Sequence, residues 1–188
     1  METWVVYFDQ RGTTNTRRVL ELAARRAAER GIREIVIPTT GGTTGLMAPD
    51  VLSGLNVVVV THSTGFGEEG RQEVPSEVIA EIRAKGAAVL TTTHAFGGVG
   101  RAVRRRFQAY QVDEIIAQTL RLMGQGTKVA VEITLMAADA GLIPAQREII
   151  ACGGTGRGLD TALVIKPAHA QALFDLEVLE FICKPRVP

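Results

Sequence analysis

The sequence predicts an α/β fold in three layers: a mostly parallel sheet, helices on both faces, and antiparallel strands at the C-terminal edge. Two observations point to the layered sheet. Short β-branched runs alternate with longer stretches of helical periodicity, the pattern of βαβ units whose crossovers cover a parallel sheet. Several of those runs, Val57 to Val60 among them, are continuously apolar, as strands buried on both faces must be. At 188 residues the chain suits one domain, 1–188, large enough to bury a real core.

Trp4 to Phe8 reads as a short first strand, and Asp9-Gln10-Arg11-Gly12 as a turn. Thr14 or Asn15 is placed to cap a helix running to about Arg30 and stopping at Gly31. Its apolar stripe is Val19, Leu22, Ala23 and Ala27. Ile32 to Ile37 is a buried-type strand that breaks into Thr39-Thr40-Gly41-Gly42-Thr43-Thr44. A short helix follows through Val51-Leu52, interrupted by Pro49. Val57 to Thr61 is the next strand, Pro75 to Lys85 the helix behind it, and Ala87 to Thr92 a third strand. Between Ala95 and Tyr110, Val99, Val103 and Phe107 recur every four positions, which is helical, with Arg101, Arg104, Arg105 and Arg106 off that stripe. Val112 to Met123 and Lys128 to Ala140 are two further helices, ended by Gly124 and Gly141. The second is apolar on nearly every face and therefore buried. Glu148 to Cys152 is the fourth core strand. Thr161 to Lys166 and Glu177 to Cys183 follow it as an antiparallel pair.

Bulk composition excludes more than it identifies. Lys plus Arg exceed Asp plus Glu by one, 21 against 20, so no bulk charge drives binding to nucleic acid or membrane. The arginines at 104–106 read as a solvated helix face. No apolar run is long enough to span a bilayer, and Met1-Glu2-Thr3-Trp4 is not the start of a signal peptide. Cys152 and Cys183 lack CxxC spacing and read as reduced thiols. A cytoplasmic address is expected, and a homo-oligomer is compatible with this reading.

The chemistry-bearing stretches lie at strand ends. In Thr39 to Thr44, glycines let backbone amides converge and threonines add hydroxyl donors, which suits a phosphate. Gly153-Gly154-Thr155-Gly156-Arg157-Gly158 ends another apolar run, and Arg157 adds a guanidinium able to fork a phosphate or stack on a ring. Neither is a Walker A or a GxGxxG motif, and each has a plain reading as a turn or connection. If the Ile32 and Glu148 strands are neighbours across a reversal of strand order, both loops open onto one cleft. Thr61-His62-Ser63-Thr64-Gly65-Phe66-Gly67 and Thr92-Thr93-His94-Ala95-Phe96-Gly97-Gly98 resemble one another. His62 and His94 either meet a ligand there or bond loop carbonyls. No companion ligands at metal spacing stand near them, so no metal site is expected. Phe66 either faces an aromatic ligand or anchors its loop. Lys128 is one turn before Glu132 and pairs with it. Asp139 either caps a loop or bonds a ligand hydroxyl.

The run Thr39-Thr40-Gly41-Gly42-Thr43-Thr44, set between strands and helices in this order, resembles the C-terminal domain of pyruvate kinase. There such a loop holds the phosphate of an allosteric sugar bisphosphate. Tyr7-Phe8 with Asn15-Thr16, Thr61-His62 with Gly65-Phe66, Thr93-His94, Lys128-Val-Ala-Val-Glu132, Met136-Ala-Ala-Asp139-Ala-Gly141, Gly154-Thr155-Gly156-Arg157-Gly158-x-Asp160-Thr161-Ala162 and Cys183-Lys184-Pro185-Arg186 resemble, over nearly the whole chain, a small stand-alone prokaryotic family of that fold associated with flavin mononucleotide (FMN). The resemblance implies the fold, including the 3-2-1-4-5 order, and a flavin or similar phosphorylated small-molecule ligand. It names no catalytic residue, and without the barrel domain it carries over no kinase activity. On this reading Thr39, Thr40, Gly41, Gly42, Thr43 and Thr44 cradle the phosphate and Gly154, Thr155, Gly156, Arg157 and Gly158 close the other side. Thr61, His62, Phe66, Gly67, Thr93 and His94 line the ring end.

Overall fold

Parallel pairing of the β-branched runs builds the centre of the molecule. In this computed structural model residues 2–186 are described; residues 1, 187 and 188, the ends of the expected domain, lie outside the described residues. The strands are β1 (Val6–Phe8), β2 (Glu34–Thr39), β3 (Asn56–Thr61), β4 (Ala88–Leu90), β5 (Ile149–Gly153), β6 (Thr161–Lys166) and β7 (Glu177–Pro185). They form one sheet in the order β1-β7-β6-β5-β2-β3-β4. Counted from β2, the core has the expected 3-2-1-4-5 order. β2 pairs in parallel with β3 and β5, opposing Ile35 to both Val57 and Ile150. β5–β6 and β6–β7 are antiparallel. The C-terminal strands are not the edge itself, because β1 adds in parallel outside β7, Val6 opposite Cys183. A backbone bond from Arg186 N to Phe8 O (2.9 Å) extends that pairing.

The period-2 side-chain alternation sorts the core into two layers. On one face Ile35, Ile37, Val57 and Val59 pack against α1 (Thr16–Arg30), α2 (Thr43–Val51) and α3 (Ser76–Ala84). On the other, Val36, Val58, Val60, Ile149 and Ala151 meet α5 (Val112–Arg121) and α6 (Gln125–Asp139). α6 is buried along nearly its whole length, Gly126 to Ala138 with only Val129 less covered. The remaining helix, α4 (Val99–Phe107), buries no residue. Among the described residues no helix is long and apolar enough to cross a membrane.

Local differences from the sequence reading have physical reasons. Gly31 ends α1 at φ +68° as expected, but Asn15 does not cap it. Its side chain bonds Gln10 O (2.7 Å) inside a 3-10 turn over Gly12–Asn15. α2 begins within the Gly/Thr run and passes through Pro49, so the loop is shorter than its composition suggests. Pro49 is in the last turn, two residues before the helix ends, where little helix remains for it to disrupt.

Candidate functional site

Strand order reverses between β2 and β5, and a cleft opens at their carboxyl ends. Its outer part is lined by Thr39, Thr40 and Thr44 from one loop and by Gly154, Gly156 and Gly158 from the other, with Gln125 and Val129 of α6 between them. An inner part adjoins it through Pro38, His62 and Phe66 and is lined further by Thr61, His94, Arg101, Arg121, Lys128 and Glu132. Both glycine-containing loops thus face one cavity.

The Thr39 side chain organises the first loop. Its Oγ1 accepts from the amides of Gly42 (3.1 Å) and Gly45 (3.4 Å), so these two donors are engaged within the chain. Gly42 has φ +96°, and a Cβ there would stand 2.4 Å from Val78 Cγ1. Packing against α3 therefore demands this glycine, whatever the loop binds. Gly41 is exposed, and a Cβ on it would meet nothing within 4 Å. Thr43 is exposed and Thr44 buried at the head of α2. Their amides have no carbonyl one turn earlier to bond, and the positive end of the helix dipole lies there. That combination attracts an anion.

The second loop is held from beneath by Asp160, a fully buried carboxylate. It accepts from Gly12 N (2.9 Å), Thr155 N (3.0 Å) and the Thr161 hydroxyl (2.9 Å). Thr16 Oγ1 takes the Leu159 amide (3.1 Å) and ties the start of α1 to the same loop. A Cβ on Gly154 would sit 2.1 Å from Gly158 O, and one on Gly158 2.6 Å from Thr13 Cα. Backbone contact explains these glycines; Gly156, at φ +75°, faces open space. Thr155 and Arg157 lie outside the cavity lining, Arg157 exposed.

At the inner end the hydroxyls of Thr61 and Thr91 bond each other (2.7 Å) where β3 ends. The three rings His62, Phe66 and His94 pack together: centroids are 4.1 Å apart for His62–Phe66, 4.8 Å for Phe66–His94 and 5.3 Å for His62–His94. His62 Nδ1 bonds Glu73 Oε2 (2.5 Å), and the Arg101 guanidinium lies over Phe66 at 4.8 Å. Burial pushes the His94 pKa down to about 4, helped by His62, Lys128 and Arg101 and opposed by Glu132. Its imidazole is neutral near pH 7 and its buried Nε2 has no partner among the described residues. Gly67 and Thr93 are exposed and outside the lining.

The floor comes from α6. Lys128 bonds Glu132 one turn later, and Glu132 Oε1 also accepts the Phe96 amide (3.0 Å). Burial lowers the Lys128 pKa; Glu132 opposes this, while Arg121 and Arg101 add to it. The i,i+4 spacing reveals the pair, but not that it faces a ligand-sized cleft. Among the lining residues the sequence reading misses are the polar Arg101, Arg121 and Gln125, because a helical polar residue off an apolar stripe looks the same whether it faces solvent or a cleft. Asp139 is elsewhere: Oδ1 accepts from Ala170 N (3.1 Å) and contacts exposed His169 (3.2 Å), capping the 3-10 turn Ala170–Asp175. Both cysteines are free and buried, and burial raises both thiol pKa values, that of Cys183 to about 12.

Two solved structures to which the chain is similar are a pyruvate kinase from Cryptosporidium parvum and a Cryptosporidium parvum pyruvate kinase in complex with ADP. The first is 13% identical with a TM-score of 0.44, and the match covers 85% of this chain and 24% of that one. The second is 14% identical with a TM-score of 0.41, covering 82% and 24%. This chain therefore spans about a quarter of the length of these enzymes. The family model of the pyruvate kinase alpha/beta domain matches residues 17–165, from the start of α1 almost to the end of β6. The chain belongs to the pyruvate kinase alpha/beta-domain family.

Proposed function

We propose that the cleft binds a phosphorylated small molecule, flavin mononucleotide or a close relative, in a flavin-associated branch of this family of prokaryotic type. The phosphate is held at the head of α2 by Thr40, Thr43 and Thr44, opposite Gly156. One observation supports the reading: both loops and Thr44 at the start of α2 line one cavity at the reversal of strand order, with exposed Thr43 just outside that lining. The residues suit the whole group. Pro38, Val60, Val129 and Met136 supply apolar surface for a planar ring within the inner part. Phe66 is already packed by His62 and His94, so it would flank a ring rather than sandwich it. A bound flavin supplies redox chemistry; the chain supplies the phosphate cradle, the dry wall and the neutral imidazole of His94.

Titration of the purified protein with flavin mononucleotide and with riboflavin, followed by flavin fluorescence, tests this. Loss of the phosphate removes several charge-assisted bonds of about 1.5–3 kcal/mol each, so riboflavin should bind at least tenfold more weakly. Equal affinities would remove the phosphate from the site. A second reading, an enzyme using acid–base chemistry on a phosphorylated metabolite, is favoured by neutral His94 beside the Lys128–Glu132 pair. Turnover of a reduced nicotinamide donor by the flavin-loaded protein separates a flavin enzyme from a binding protein.

A further inference from the structure

We infer that Arg101 and Arg121 form a second anion subsite at the inner end of the cleft, apart from the head of α2, taking the phosphate or carboxylate group of a small molecule other than flavin mononucleotide, whose one phosphate is assigned to α2. That this molecule binds beside a flavin rests on the function proposed above; the subsite itself does not.

Three observations carry it. First, Arg101 of α4 and Arg121 of α5 line the same inner cavity as Lys128, and both also line the shallower hollow between α4 and α5. They stand at the rim where the two spaces meet. Second, in the outer hollow Arg105 stands without an ion pair among the described residues while Arg104 pairs with Glu114 (2.5 Å), and in the inner cavity Lys128 has a carboxylate partner in Glu132. Among the described residues Arg101 and Arg121 have none. Arg121 Nε is fixed by Gln125 Oε1 (2.7 Å), and Arg101 by the Phe66 face at 4.8 Å. Third, Arg101 is accommodated in its place. A Cβ on Gly97 would stand 2.8 Å from Arg101 Nη2, so the guanidinium lies close against this backbone.

The physical consequence is an excess of positive charge in a partly dry space. Burial is the main cause that lowers the Lys128 pKa, and the nearby charges of Arg121 and Arg101 add to it. Like charges gathered away from water repel more strongly than on an open surface. An oxyanion relieves that repulsion and matches the guanidinium fork, which engages phosphate or carboxylate through paired N–H groups.

Isothermal titration of the full chain with inorganic phosphate tests the subsite, using wild type, the double variant Arg101→Gln/Arg121→Gln, and Gly41→Asp. The last places a carboxylate at the head of α2, where the structure has open space. Wild type should bind two phosphates per chain. The double variant should lose one, weakened at least tenfold, and Gly41→Asp should lose the other. The double variant should also unfold at a higher temperature than wild type in low salt without phosphate, since an uncompensated repulsion is gone. Phosphate binding unchanged in the double variant would overturn the subsite. A single arginine-dependent site, insensitive to Gly41→Asp, would keep the subsite and remove the phosphate site proposed at α2. Malonate as a second titrant separates the sources: displacement of phosphate from the arginine-dependent site supports a carboxylate group, and its failure supports a phosphate.

Discussion

Lys128 and Glu132 illustrate how much a single buried charge can carry. Lys128→Met leaves Glu132 buried with the Phe96 amide as its one remaining hydrogen-bond partner among the described residues, and should destabilise the fold by about 3 kcal/mol. Lys128→Met/Glu132→Leu should regain part of this, remaining short by about 1–3 kcal/mol because Phe96 N loses its acceptor. Urea unfolding of both variants checks the order. His94 has a pH signature. Its folded-state pKa lies at about 4 against 6.5 for the free side chain. Between these values the unfolded chain binds the extra proton, so stability falls as pH drops from about 6.5 to 4 and is unaffected by this group above that window. In His94→Asn that share of the acid loss should vanish; identical pH profiles for variant and wild type would mean that the imidazole is not held neutral. Gly42→Val forces a branched side chain against Val78 at φ +96°, a strain of roughly 1–3 kcal/mol, so its thermal midpoint should drop. Gly41→Ala, with open space, should change it little.

At the scale of elements, the second loop depends on Asp160 more than on its own residues. Asp160→Ala strips the acceptor from Gly12, Thr155 and Thr161. It should cost about 1–3 kcal/mol for each buried donor left unpaired and raise amide hydrogen exchange at Thr155 and Gly12. Exchange unchanged at those two amides would show that the loop holds itself. The elements themselves are legible because periodicity reports burial: β2, β3, α1 and α6 follow directly from their apolar patterns. The reason for a glycine is not legible. Gly42, Gly154 and Gly158 read as a phosphate cradle, yet their Cβ positions are filled by Val78 and by the backbones of Gly158 and Thr13. Contacts between residues far apart in sequence decide this, and composition does not record them.

For the whole molecule, the reversal of strand order between β2 and β5 places the candidate site. It brings a loop at residue 40 and a loop at residue 156 to one cavity. This juxtaposition follows from the βαβ pattern and the handedness of crossovers, so it could be expected from sequence. The parallel docking of β1 on β7 could not, since a three-residue strand carries no signal for its partner. Nor could the inward turn of Arg101 and Arg121, which depends on how α4 and α5 lie over the inner cavity. A titration of 15N-labelled protein with flavin mononucleotide, read amide by amide in two-dimensional NMR spectra, tests the central claim most directly. The largest shifts should fall on Thr40, Thr43, Thr44 and Gly156, with smaller ones at His62 and His94. Shifts confined to residues outside the cleft, with Thr43 and Thr44 unmoved, would contradict it.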